Sequence, residues 1–450
     1  MQLVLARLNH LLLGAKVHPL QSSKKKSIFI LGSGGREHAL GWKLAQSRMV
    51  KRVLHCPGNG GTSNNVDIDY FDHKKLTEFA AANDCDTIVG PEGPLAVGIV
   101  DQFLENNLRI FGPRKAAARL ESSKVFSKKF MQKAGIKTPT FVVLSSYRDA
   151  EDYVRSQTDD LVIKAEGLAA GKGVFICRTR EQAFQALRSL MLDREFGESG
   201  DRIIVESRIK GKEASYIAIC DGNSFIPLAI CRDHKRACDG DTGPNTGGMG
   251  SYSPVDEINE NLGVKIANDI IEPTIRGMRE MGSPFLGFLY AGLMLDSEDQ
   301  TPNVLEFNVR MGDPECQSLM VRMDSDLYAY LDAAMDRRLN DMPPIKWKKE
   351  YSVCVVMVSK GYPGKYSTGH PIQGLSSDPS RKAVIFHSGT RRESNQQITS
   401  SGGRVLSVTA TGQSLEAARK EAYGTVRKIT WGKREEFYRT DIGVAPANSR

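Results

Sequence analysis

The run Val304-Leu-Glu306-Phe-Asn308-Val-Arg310 alternates apolar and polar residues with a period of two. In a strand that period puts Glu306, Asn308 and Arg310 on one face. A carboxylate, an amide oxygen and a guanidinium in line form a surface for a divalent cation and a phosphate, with hard oxygen donors for the ion and a planar fork for the anion. A solvated strand face has the same alternation. Here, however, Gly312-Asp313-Pro314-Glu315 follows at once, and loops at strand ends commonly carry function. A second candidate is Lys164-Ala-Glu-Gly167-Leu-Ala-Ala-Gly171-Lys172-Gly173. It departs from a P-loop because only three residues separate Gly167 from Gly171, and Gly173 stands where the magnesium-binding Ser or Thr would be. Strand-like residues flank it, so it reads as a glycine flap whose amides and lysine close over nucleotide phosphates; a plain hairpin is the alternative.

Two more loops have suitable chemistry. Gly32-Ser-Gly34-Gly35-Arg36-Glu37 lies where a dinucleotide fingerprint would lie, but Glu37 replaces the third glycine and Cys56-Pro57 stands in place of the ribose-binding acid. That disfavours a nicotinamide site and leaves glycine amides ahead of a helix to cradle a phosphate, with Arg36 as counter-charge. Asp233-His-Lys235-Arg and Asp241-Thr-Gly-Pro-Asn245-Thr-Gly-Gly-Met-Gly250 form one long polar loop. It suits a small zwitterionic or phosphorylated ligand, with Asp241 accepting from an amine. No Gly-x-Ser-x-Gly elbow is present, and His38 and His234 read as hydrogen-bonded structural or binding residues rather than bases.

These loops need elements to hold them. Over residues 27–125, short apolar runs at 27–31, 52–56, 86–89 and 108–111 each precede a Gly- or Pro-rich loop and alternate with helical stretches. The pattern predicts a doubly wound parallel sheet whose ligand edge is the set of loops at the strands' carboxyl ends. A helix over 124–134 leads into an α+β body. Its strands are expected at 161–164, 173–177, 202–206, 213–220, 225–231, 287–296 and 302–309, with helices up to 192 and near 259–282. Pro343-Pro344 marks a linker. A small third unit follows, with strands at 351–359, 382–386 and 403–409 and a helix at 414–429.

At 450 residues, with 40% hydrophobic and 25% charged residues, the chain has room for about three domains and no excess suggesting disorder. No apolar run is long enough to span a bilayer, so no membrane role is expected. Five of the eight net positive charges come from Arg7, Lys16, Lys24, Lys25 and Lys26. The body is therefore close to neutral, which does not suggest a nucleic-acid partner. Residues 1–26 read as an unstructured leader, with organelle import as the alternative. Eight scattered cysteines without a C-x-x-C pair read as reduced thiols of a cytoplasmic protein.

In order along the chain, Gly-Ser-Gly-Gly-Arg-Glu-His-Ala-Leu (32–40), Pro-Gly-Asn-Gly-Gly-Thr (57–62), Val-Gly-Pro-Glu (89–92), the 164–174 glycine segment, Asp-His-Lys-Arg (233–236), the 241–250 loop and Arg-Met-Gly-Asp-Pro-Glu (310–315) resemble the motifs of the phosphoribosylamine–glycine ligase family, within the ATP-grasp superfamily. The resemblance implies a pre-ATP-grasp Rossmann-like domain (27–125), a two-lobed ATP-grasp domain (126–340) and a small C-terminal α+β domain (345–445), so an α/β and α+β fold. It further implies ligation of glycine to 5-phosphoribosylamine through glycyl phosphate, with ATP and Mg²⁺ or Mn²⁺, by a monomer in purine synthesis. Position by position, Glu306 and Asn308 match the metal ligands, Lys124 and Lys164 the lysines facing the ATP phosphates, and Gly167, Gly171, Lys172 and Gly173 the flap. Glu206 and Ile209 fall on the segment along adenine, and Glu213 on the ribose acid. Gly34, Gly35, Arg36, Asn59 and Glu92 line the phosphoribosylamine side, and Asp233, Lys235, Asn245 and Asp313 belong to the substrate loops. Asp241 and Arg310 are expected on the glycine ammonium and on the carboxylate or acyl phosphate. Ser207 interrupts the family's usual Glu-Glu pair, while Ala291 replaces a third metal-ligating acid, leaving two protein ligands. A carboxylase or formate-using relative and a non-catalytic nucleotide-binding protein are the competing readings.

Overall fold

A computed structural model describes residues 25–168, 173–375 and 383–444. The flap residues Gly171 and Lys172 and the leader up to residue 24 lie outside the described residues. Strands β1 (Lys26–Gly32), β2 (Val50–Pro57), β3 (Cys85–Val89) and β4 (Ile110–Phe111) form a parallel sheet in the order β2-β1-β3-β4. Residues Ile28 to Leu31 of β1 are fully buried, as expected of a central parallel strand covered on both faces. With β2 and β3 on opposite sides of β1, the crevice opens at the carboxyl ends of β1 and β3, where helix α1 (Gly35–Leu44) begins and the Gly90–Glu92 loop passes. Helices α2 (Lys115–Ser122) and α3 (Lys124–Lys133) then lead out of this layer.

Two antiparallel sheets face each other beyond α3. The smaller lobe orders β5 (Phe141–Leu144), β6 (Leu161–Ala165), β7 (Val174–Cys177) and β8 (Ile203–Ser207) as β5-β8-β6-β7. Its hydrophobic cluster, built on Ala150, Ile163, Leu187 and Val205, is separate from the rest of the core, so this lobe is an independently packed body. The larger lobe orders β9 (Gly211–Asp221), β10 (Phe225–Pro227), β15 (Leu286–Asp296) and β16 (Pro302–Asn308) as β10-β9-β15-β16. The fold is α/β in the parallel layer and α+β in the antiparallel ones.

The 233–250 segment differs from the single loop expected. It contains β11 (Arg232–Asp233), a hairpin of β12 (Arg236–Cys238) and β13 (Thr242–Asn245), and β14 (Gly250–Ser253). Strand β14 pairs with β17 (Tyr351–Ser359), so a strand from the middle of the chain is part of the C-terminal sheet, which continues through 404–412 and 383–387. Its Gly250 is required by packing: a Cβ there would sit 2.7 Å from the Cys354 carbonyl oxygen. The fourth parallel strand is also shorter than expected, because only Ile110 and Phe111 pair with β3.

The N-terminal and C-terminal layers meet through histidines. The Nδ1 of His38, on α1, accepts from the backbone N–H of His387 at 2.9 Å, and the His387 ring lies 3.1 Å from the Thr390 hydroxyl. Burial holds His38 at about 3 and His55 and His387 at about 4, against an ordinary value near 6.5. Their folded pKa values lie below the unfolded ones, so their stabilising contribution is complete above pH 6.5 and is lost as pH falls through 6.5 toward 4. The thermal midpoint should therefore fall between pH 7 and pH 4.5, and His387→Asn should flatten that dependence; a slope unchanged by the substitution would contradict this account.

Candidate active site

A cleft of about 890 Å³ lies between the two lobes and is bordered by the N-terminal layer, the β12–β13 hairpin and Arg404 of the C-terminal sheet. Its small-lobe end is organised by Glu206, at the end of β8, whose two carboxylate oxygens each lie 2.9 Å from an ammonium, Lys128 on one side and Lys164 on the other. Glu206 is 1% exposed. Lys164 also donates to the Leu305 carbonyl at 3.1 Å, which ties the small lobe to β16. Lys124 opens α3 and donates to the Gly167 carbonyl at 2.9 Å, with Ser123 as the helix cap. A cation at a helix N-terminus opposes the helix dipole, so this lysine works against helix stability. Burial pushes Lys124 down and brings Lys128 to about 8.

Both side-chain oxygens of Glu206, which was expected on the segment along adenine, are engaged with lysines. The neighbouring backbone at Ser207–Lys210 lines the cleft with Ile209. Across from it, Glu306 and Asn308 both line the cleft from β16, as a period of two requires. Burial would raise Glu306, but Lys235, Lys164, Lys124 and Arg310 outweigh it and keep the group ionised. Lys235 lies 3.4 Å from Glu213 and 4.0 Å from Glu306, linking the expected ribose and metal acids. Asp233 is driven up to about 8, chiefly by desolvation; Lys235 opposes this, and Glu315, Glu213 and Glu306 reinforce it. Glu315 accepts from Ser215 at 3.0 Å.

Several expectations change at the N-terminal side. The phosphate cradle ahead of α1 is already filled: the Gly34 N–H donates to the Glu37 carboxylate at 2.6 Å and the Arg36 N–H to Asp313 at 3.3 Å. The Arg36 guanidinium is engaged with Glu37 at 2.6 Å and the Met311 carbonyl at 2.9 Å. Gly34 and Gly35 provide close approach, since a Cβ at Gly35 would meet Gln317 at 2.5 Å. Asn59 ties loops together, donating to the Ser33 and His387 carbonyls and accepting from Gly61 and Thr62, and leaves no group for a substrate.

Arg310 does not present a free fork. It lies 2.7 Å from Glu121 and 3.2 Å from Glu92, so Glu92 is also engaged. Arg310 and Arg36 overcome the effect of burial and hold Glu92 at about 2, whereas burial takes Glu121 up to about 7. Asp241 lies at the cleft rim with its carboxylate 2.7 Å from Arg439, so its expected role on an ammonium is replaced by an ion pair. Asn245, Asp313 and Gly173 line the cleft; Gly167 faces Lys124 through its carbonyl. Sequence reasoning missed Lys128, Glu121, Arg404 and Arg439. Lys128 was legible as the i+4 neighbour of Lys124 on α3; the other three meet the site only through the fold.

Profiles described as phosphoribosylglycinamide synthetase match in three segments: the N domain at residues 26–121, the ATP-grasp (A) domain at 122–316 and the C domain at 352–445. The phosphoribosylamine–glycine ligase of Rhodopirellula baltica is 45% identical over 418 residues, covering 90% of this chain and 95% of that one. The chain belongs to the phosphoribosylamine–glycine ligase family. The Pseudomonas aeruginosa member is 44% identical, with 93% of this chain and 97% of that one covered. The crystal structure of the Thermotoga maritima phosphoribosylamine–glycine ligase superposes with a TM-score of 0.80 at 33% identity over 92% of this chain and 99% of that one. A biotin carboxylase domain from Hydrogenobacter thermophilus shares the fold at a TM-score of 0.71 and 13% identity, over 91% of each chain. The cleft thus belongs to an ATP-grasp ligase.

Glu206→Gln should lower stability by about 3–5 kcal/mol, since it leaves two buried ammonium groups without their shared acid. A thermal midpoint equal to wild type would show that the lysines do not need it.

Proposed function

We propose that the cleft joins glycine to 5-phosphoribosylamine with cleavage of ATP, giving glycinamide ribonucleotide, ADP and phosphate by way of glycyl phosphate. The observation that carries this reading is the placement of Lys124, Lys128 and Lys164 opposite Glu306 and Asn308 in a chain of this family. A carboxylate is a poor acyl donor because its leaving oxygen is anionic. Transfer of the γ-phosphoryl group from ATP to a glycine carboxylate oxygen changes that leaving group to orthophosphate. The neutral amine of phosphoribosylamine then attacks the carbonyl, the C–O bond to phosphate breaks, and the amine loses a proton. Positioning and charge neutralisation account for such chemistry without a covalent enzyme intermediate.

Within that scheme the three lysines hold the triphosphate, and the flap including Gly167, Gly171, Lys172 and Gly173 covers it. The backbone around Ile209 takes adenine and Glu213 the ribose. Glu306 and Asn308 fit a magnesium or manganese ion: one carboxylate is kept ionised, one amide oxygen stands beside it, and no cluster of three acids or histidines competes among the described residues. Such an ion takes its remaining oxygens from phosphates and water. When bound, it neutralises charge on the transferring phosphoryl group. Asp233 and Lys235, next to Glu306, take glycine. The phosphoribosyl end falls to Asn245, Asp313 and Arg404, which line the cleft beside the C-terminal layer.

Glycine labelled with ¹⁸O in its carboxylate should pass one labelled oxygen into orthophosphate per turnover. Unlabelled phosphate, or ADP release that needs bicarbonate but not glycine, would reject the reading. Glu306→Ala should cut kcat by roughly 10²–10³-fold, equivalent to several kcal/mol of lost charge stabilisation, with an unchanged thermal midpoint. Wild-type turnover in that variant would remove the metal assignment.

A further inference from the structure

The β12–β13 hairpin borders the cleft through Arg236, Asp241 and Asn245. By itself it is a weak element. Its strands pair at only two registers, Arg236 with Asn245 and Cys238 with Thr242, with an irregularity between them. Its turn holds Gly240 and Asp241, and β13 holds Gly243, at positive φ. Two-stranded hairpins of this size are marginal in water.

A segment two hundred residues away supplies what the hairpin lacks. Arg439 is 1% exposed, and its guanidinium donates to Asp241 Oδ1 at 2.7 Å, the Arg236 carbonyl at 3.1 Å, and Asp441 Oδ1 and Oδ2 at 2.7 and 2.6 Å. Beside it, the Gly240 N–H donates to Asp441 at 2.8 Å and the Thr440 N–H to Asp239 at 2.8 Å. The segment is itself anchored on helix α4 (Leu415–Val426): the Tyr423 hydroxyl donates to the Arg439 carbonyl at 2.7 Å and Arg419 to the Thr440 carbonyl at 2.6 Å. A buried guanidinium must fill its fork with acceptors, so two of its acceptors fix the hairpin at both strands' ends.

We propose that Arg439 is a positioning residue for the substrates other than ATP, acting through Asp241 and the Arg236 carbonyl on the hairpin that borders the cleft. Lys235, which reaches Glu213 and Glu306, immediately precedes this hairpin. Gly247, whose carbonyl accepts from Arg404 at 2.8 Å, closely follows it. A hairpin that shifts therefore displaces groups at both ends of the acceptor side while leaving Lys124, Lys128, Lys164 and Glu206 in place. The proposal rests on the reading of the cleft as the ligase site.

The test is steady-state kinetics of the full chain with each substrate varied in turn, on Arg439→Ala, Arg439→Lys and Asp239→Ala. The last removes an exposed side chain and keeps the test available should a substitution at the buried Arg439 prevent folding. The KM for glycine or phosphoribosylamine should rise about tenfold in Arg439→Ala, and less in Arg439→Lys and Asp239→Ala, with the KM for ATP within about twofold of wild type. Folded variants with all three KM values within twofold of wild type would overturn the proposal, as would a loss of kcat alone that tracks a lowered thermal midpoint. Wild-type protein without glycine-dependent ADP release would instead refute the ligase reading itself.

Discussion

Six lysines line one cleft, and the mutual repulsion of the four least exposed under low-dielectric protein is the constraint on which the site depends. Lys124, Lys128, Lys164 and Lys235 are set against Glu206, Glu213 and Glu306. Glu206 bridges two of them, and Glu213 raises Lys235 against the effect of burial. Among the described residues Lys124 has no carboxylate within ion-pair distance, and it donates to the Gly167 carbonyl. On the proposed reading of the cleft, a triphosphate with its cation supplies the counter-charge this arrangement lacks.

The same reasoning applies at the other end, with signs reversed. Arg310 is enclosed by Glu92 and Glu121, and Arg36 by Glu37 and the Met311 carbonyl. These pairs use groups that a reading of residue types assigns to ligands. Their effect is to tie layers together: Glu92 belongs to a loop of the parallel sheet, Arg36 to helix α1, Glu121 to the helix leading out of the layer, and Arg310 and Met311 directly follow β16, the strand of Glu306 and Asn308.

The parallel layer, the flanking strands of the glycine flap and the Glu306–Asn308 face were all legible from period and punctuation, because each is a regular element with a local signal. Helix Glu315–Arg322 was not, since all eight of its residues are buried, the polar Glu315, Gln317, Ser318 and Arg322 among them, so it has no solvent-facing side to set off a core-facing one. Among the site residues, Lys164, Glu306 and Asn308 carry their chemistry in local sequence. Arg310, Asn59 and Asp241 were assigned to ligands because residue type does not reveal that a distant partner already occupies them. Arg404 and Arg439 gave no signal, as each matters only through contacts some 90 to 200 residues away.

Strand β14 lies in the chain about a hundred residues ahead of the strand that completes its hydrogen bonding, a separation that makes pairing slow. During synthesis the ribosome releases Gly250–Ser253 well before Tyr351–Ser359, so one backbone edge of this strand waits unpaired while the large lobe forms around it. The chain therefore cannot be matured simply unit by unit. A break at the Pro343-Pro344 linker, whether by protease or by genetic fission, would leave each fragment without part of a shared sheet, and assembly would require the two pieces to find each other.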